Sequence, residues 1–150
     1  MKLYNILFNG YIREENKEYI PSFGGIYIVY RCVFNKKEKK ISLKELIYIG
    51  RAVNINNRIS KHERRADFLK TLSDGEELCY SYSSIAPGDI DIIENALIFM
   101  QKPRLNDELK NEFNYSEAAF HIEGRCGLLE KTDFEITLKS KELEIKQRQG

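Results

Sequence analysis

The sequence predicts a small α+β domain, a mixed or antiparallel sheet flanked by helices, and three observations carry that prediction. Residues 24–34 (GGIYIVYRCVF) are rich in β-branched and aromatic side chains and open on paired glycines, as a strand requires. Residues 52–72 and 87–103 instead carry helical signals, with an Asn or a Pro-Gly-Asp at the start and Gly75 or Pro103 just past the end. The elements alternate in the order β-β-α-β-α, which fits one sheet with helices packed against it.

Taken in order, residues 3–8 are expected to form a short strand. Residues 24–34 form the first firm strand, and 46–49 a second that ends at Gly50. The polar stretch at 35–40 (NKKEKK) reads as a long basic connection of an antiparallel hairpin. Asn54 is the expected N-cap of one helix, because its side chain can accept from the free N–H groups of the first turn. Ile55, Ile59 and Ala66 share an arc of that helix at 3.6 residues per turn. Residues 77–85 (ELCYSYSSI) read as a third strand and 89–101 as a second helix stopped by Pro103. A further strand is expected near Phe134, and the last ten residues are charged and expected to fray.

Length and composition set the outer limits. The chain has 150 residues, 42% of them apolar, which suits one domain with a core, here 1–150 with the essential part at about 22–107 and an extension at 108–150. The apolar stretches are strand-sized, so no membrane span is expected. The apolar run at the N-terminus is too short for a signal peptide, which predicts a cytoplasmic protein. Cys32, Cys79 and Cys126 are far apart and form no CxxC pair, so buried, reduced thiols are expected rather than a disulfide or zinc framework.

The net charge of +1 conceals a division. Residues 31–65 hold eleven Lys or Arg and three Glu, a net of +8, which leaves thirteen basic and twenty acidic side chains elsewhere, a net of −7. Such a basic block can neutralise phosphates locally. Its cations include Lys36, Lys37, Lys39, Lys40, Arg51, Lys61 and Arg65, the candidate nucleic-acid contacts. A solvated face and hairpin tip would account for them equally well.

Glu94 is the most informative single residue. It sits on a helix that is apolar almost all round, from Ile90 to Met100, where a carboxylate loses hydration at a cost of several kcal/mol unless paired or metal-bound. The alternative is a narrow exposed strip made by Glu94 and Asn95. On the first helix Arg58, His62 and Arg65 project within about 40° of each other and form a cationic stripe beside the apolar arc, or a solvated helix face. Tyr27 and Tyr48 stand on neighbouring strands, where packing is the usual role.

Together these residues resemble the GIY-YIG nuclease superfamily. The resemblance rests on Gly25-Ile26-Tyr27, Tyr48-Ile49-Gly50, Arg58, His62, Glu94 and Lys102-Pro103-x-Leu105-Asn106, and it runs from about Gly24 to Asn106. It implies a three-stranded antiparallel sheet, with possible extra edge strands, flanked by helices. It also implies a metal-dependent endonuclease that hydrolyses phosphodiester bonds in DNA with one Mg²⁺ or Mn²⁺. By position, Glu94 resembles the metal-ligating carboxylate and Tyr27 the tyrosine that activates water. Tyr48 and Arg58 resemble partners of the scissile phosphate, His62 a histidine found in some members, and Asn106 a supporting asparagine. Two features depart from the pattern: the stretch 28–47 is about twice the usual length, and no separate recognition module is visible. A non-catalytic nucleic-acid-binding module on the same fold is the alternative, and an interaction protein using the acidic C-terminal half is a third reading.

Overall fold

The computed structural model describes residues 1–137. Six strands form one mixed sheet: β1 (Lys2–Arg13), β2 (Gly25–Asn35), β3 (Lys40–Ala52), β4 (Glu77–Ser84), β5 (Ala118–Gly124) and β6 (Asp133–Ile136). Three helices pack on it: α1 (Ile55–Ser60), α2 (Arg65–Lys70) and α3 (Ile90–Gln101). The strand order is β3-β2-β4-β1-β5-β6, with every neighbouring pair antiparallel except β1 and β5. The α+β class agrees with the sequence, but the sheet is twice the predicted three strands. The expected unit is β3-β2-β4. β1 is twelve residues rather than six, and it pairs with β4 on one side and with β5 on the other.

β2 explains the arrangement. From Gly25 to Tyr30 its residues alternate between two cores and are all buried, and a strand buried on both faces reads as an unbroken apolar run. Ile26, Ile28, Tyr30 and Cys32 join Ile93, Leu97 and Phe120 under α3. Tyr27 and Val29 join Ile55, Ile59 and Phe68 under α1 and α2. Cys32, Cys79 and Cys126 are buried free thiols, as their spacing predicts.

Three sequence expectations need correction. The helix at 52–72 is two helices. Asn54 does cap the first, accepting from the Asn57 N–H at 2.9 Å, but Lys61 leaves helical geometry at φ −128°, ψ 35°. The break turns His62 into the core, so Phe68 fills the space below and Ala66 is exposed. The cationic stripe of Arg58, His62 and Arg65 therefore does not exist as one face. The hairpin connection is also short: β2 and β3 pair all the way to Asn35 and Lys40, leaving a turn at 36–39 closed by Asn35 Oδ1 accepting from the Glu38 N–H. The added length of 28–47 is paired strand. Finally, β5 has no counterpart among the strands the sequence predicts; the predicted last strand is β6, while the expected fraying of the final ten residues lies outside the described residues.

Candidate active site

The site forms where β2 and β3 emerge from the double-sided core and face α1 and α3. Tyr27 is fully buried and paired in register with Gly50. The pairing depends on glycine: a Cβ at Gly50 would lie 2.4 Å from the Tyr27 ring and hydroxyl. Tyr48 stands beside it, ring centroids 6.2 Å apart, and His62 meets both rings edge-on at 5.8 and 5.4 Å.

The hydrogen bonds around His62 define its tautomer. Nδ1 accepts from the backbone N–H of Arg64 at 3.0 Å, so in the neutral ring the proton is on Nε2. Nε2 lies 2.7 Å from the Tyr27 hydroxyl and donates to it. Burial, reinforced by the nearby Arg58, pushes the His62 pKa down from 6.5 to about 4, so the ring is neutral near pH 7. Burial also raises the Tyr27 pKa, helped by Tyr48 and opposed by Arg58. Tyr27 in the free protein is a neutral phenol whose oxygen accepts from His62.

A consequence for stability follows from His62. Above pH 6.5 the ring is neutral in folded and unfolded chains and contributes no slope. Between pH 6.5 and 4 the unfolded chain takes up a proton that the folded chain refuses, so stability falls with pH by roughly 3 kcal/mol in all. His62→Gln should flatten this part of the stability profile in chemical denaturation. His121 acts in the opposite sense, because Asp133 and Glu123 raise its pKa, but it is present in both proteins. Parallel profiles for the two proteins would show that His62 is not held neutral.

Glu94 projects from α3 with a side chain only 16% exposed. Desolvation raises its pKa; Arg51 opposes the shift and Glu108 adds to it. Arg51 Nε lies 3.7 Å from Glu94 Oε1, beyond hydrogen-bond distance, and its guanidinium is held by Asp91 instead. Asn95, the next residue, is 1% exposed and faces the interior, so the exposed-strip alternative does not hold for it.

Asn106 is buried and acts as a strand partner for β3. Its Nδ2 donates to Ile49 O at 2.8 Å and its Oδ1 accepts from the Ile49 N–H at 3.0 Å. Leu105 N–H adds a bond to Ile47 O at 3.0 Å. The segment after α3 thus fixes the backbone that carries Tyr48 and Gly50. Its direction is set by Lys102, which adopts a left-handed cap at φ 47° before Pro103.

Tyr27, Tyr48, Arg51, Arg58, Glu94 and Asn106 all line one cleft of about 500 Å³, with Arg64, Glu63, Asp107 and Glu108 at its walls. His62 stands behind Tyr27. The remaining candidate contacts lie elsewhere. Lys36, Lys37, Lys39 and Lys40 are exposed at the hairpin tip, roughly 26 Å along β3 from Tyr48 at about 3.3 Å per residue. Lys61 is exposed, and Arg65 pairs with Glu14 and does not line the cleft. Arg64 was missed. It lies 5.9 Å over the Tyr48 ring and pairs with Asp67 and Asp107. Its place follows from the break after α1, which helical periodicity hid.

Among the described residues, no group of three or more His, Cys, Asp or Glu side chains converges on a metal position. Glu94 alone suits a cation that keeps most of its water shell, as Mg²⁺ does. A largely buried carboxylate whose nearest cation, Arg51 at 3.7 Å, makes no hydrogen bond to it fits that role.

The chain is similar to part of UvrABC system protein C. It is 34% identical over 74 residues to that protein of Francisella philomiragia, covering 47% of this chain and 12% of the relative. It is 31% identical over 107 residues to the protein of Pseudoalteromonas atlantica, covering 69% of this chain and 16% of the relative. The chain thus spans less than a fifth of the length of these relatives. No family model and no solved structure matches it. Among the described residues no helix is long and apolar enough to cross a membrane.

Proposed function

We propose that this protein is a GIY-YIG-type endonuclease that hydrolyses phosphodiester bonds in DNA, with one Mg²⁺ or Mn²⁺ held by Glu94. The observation that carries this reading is the meeting of Glu94, Arg58 and the Tyr27 hydroxyl in one cleft, from three separate elements. The similarity to a component of the UvrABC system supports it.

Glu94 would hold the divalent ion, which when bound would supply positive charge to the phosphate and to the leaving oxygen. Arg58 offers planar donors to the phosphate where negative charge gathers in the transition state. Tyr27 would act as the base only as a phenolate, its own proton having first passed to solvent through the cleft; the phenolate oxygen would then take the proton of the attacking water and return to the neutral phenol. A phenol with a pKa at or above about 10 is a poor base near neutrality, so it depends on cations nearby. The His62 Nε2–H and Arg58 both favour the phenolate that would form. Tyr48 walls the cleft beside Tyr27, and Asn106 keeps β3 in register.

Incubation of supercoiled plasmid with the purified protein, with Mg²⁺ and with chelator, tests the reading. Nicked or linear product only with metal is the expected result. Intact plasmid with Mg²⁺ and with Mn²⁺, from protein that binds DNA, would leave the non-catalytic binding module as the correct reading.

A further inference from the structure

A second hollow of about 230 Å³ adjoins the cleft, and Arg51 and Glu94 line both. Its far wall is Asn114 and Tyr115, from the stretch that follows the resembling region. This wall is built rather than incidental. Asn95, buried and adjacent in sequence to Glu94, donates to Leu109 O at 3.3 Å and Glu112 O at 2.8 Å, and accepts from the Asn114 N–H at 3.0 Å. Phe113 is sunk in the α3 core against Phe99 and Phe120, and the Tyr115 ring rests on it at 5.7 Å. Tyr115 itself is 37% exposed. One helix turn thus fixes both the carboxylate of the cleft and the aromatic ring of the hollow.

The lining chemistry separates the two spaces. The cleft is lined by three guanidinium groups, Arg51, Arg58 and Arg64, beside Glu63, Glu94, Asp107 and Glu108; Arg58 pairs with Glu63 and Arg64 with Asp67 and Asp107, and two more cations than the hollow has suit the cleft to a phosphate. Among the described residues the hollow has Arg51 as its one lining cation, engaged by Asp91, and otherwise offers carboxylates, amides, Leu109 and an aromatic ring. A second phosphate would be disfavoured there. A planar, uncharged group with a hydrogen-bonding edge would be accepted, and ring stacking on an exposed aromatic is the usual way proteins hold a nucleobase.

We propose that this hollow is a nucleobase subsite, in which Tyr115 packs against the base that flanks the scissile phosphate and Asn95 is the positioning residue that holds the wall. The assignment rests on the reading of the adjoining cleft as a phosphodiester-cleaving site. It gives the stretch after Asn106 a role in choosing where the strand is cut.

Cleavage positions are first mapped on an end-labelled duplex with Mg²⁺. Single abasic nucleotides are then placed at successive positions around one mapped site, and binding of the full chain to each duplex is measured in chelator. Tyr115→Leu should weaken binding to the intact duplex by about 10-fold, Tyr115→Phe should restore it, and at one position next to the cut an abasic nucleotide should weaken wild type by a similar factor while leaving Tyr115→Leu nearly unaffected. If cleavage is mapped but no abasic position is coupled to Tyr115, the subsite is wrong and the nuclease reading stands. If no cleavage occurs, the nuclease reading fails and the subsite with it.

Discussion

Glu94→Gln is expected to leave a folded protein that binds DNA and has lost metal-dependent cleavage by about 10³-fold or more, the loss of several kcal/mol of transition-state stabilisation. The carboxylate is 16% exposed and its pKa is raised by desolvation, so the charge is carried at a cost. Arg51, its nearest partner, stands 3.7 Å away and is shared with Asp91. Removing the charge therefore breaks no hydrogen bond and only a shared ion pair at 3.7 Å. In chelator the variant should match wild type or exceed it by about 0.5–2 kcal/mol, as relaxation of functional sites commonly does. Mn²⁺ should raise the melting temperature of wild type by mass action and leave the variant unchanged. Glu108, which lines the same cleft and whose charge adds to the raised Glu94 pKa, is one carboxylate placed to substitute, and Asp91, one turn earlier at the adjoining hollow, is another. Retained Mg²⁺-dependent cleavage in Glu94→Gln would remove Glu94 from the metal site. A clear loss of stability in chelator would mean that the Arg51 contact is structural.

How much of this was legible in the sequence depended on whether a residue's role was local. The strands of the hairpin, the Asn54 cap and the stop at Pro103 were readable because each is set by neighbours in the chain. Tyr27, Tyr48, Arg58, Glu94 and Asn106 could be nominated from motif spacing, and they share one cleft. The cationic stripe failed because helical periodicity was extended through Lys61, where the helix ends. That break is decided by the tertiary position of His62, whose ring bonds Tyr27 on a strand 35 residues earlier. β5 was hidden for a similar reason. Its residues carry alternation, but they pair in parallel with β1, more than a hundred residues away, and no local turn announces it. The hairpin lysines are candidate nucleic-acid contacts through the charge of the basic block, and long paired strands set them at the tip, away from the cleft. Asn95 looked like half of a polar strip beside Glu94, and only the loop at 109–114 explains why it is buried.

Tyr27→Phe should reduce the cleavage rate by about 10² or more, the range for a lost general base, with little change in DNA affinity. The ring is fully buried and packs against Gly50, Tyr48 and His62, so phenylalanine retains the packing and removes one oxygen. That oxygen is the acceptor for the His62 Nε2–H. Its loss orphans a buried donor, at a cost of about 1–3 kcal/mol to stability. The rate must therefore be measured under single-turnover conditions well below the melting temperature, with the fraction folded checked by circular dichroism. The two effects are separable: a packing role predicts lower stability with a normal rate per folded molecule, and a proton-accepting role predicts a slow rate even when every molecule is folded. A wild-type rate per folded molecule would reduce Tyr27 to a core residue. It would also move the search for the base to Tyr48, which lines the same cleft, is only partly buried, and has a pKa raised by burial against the lowering influence of Arg58.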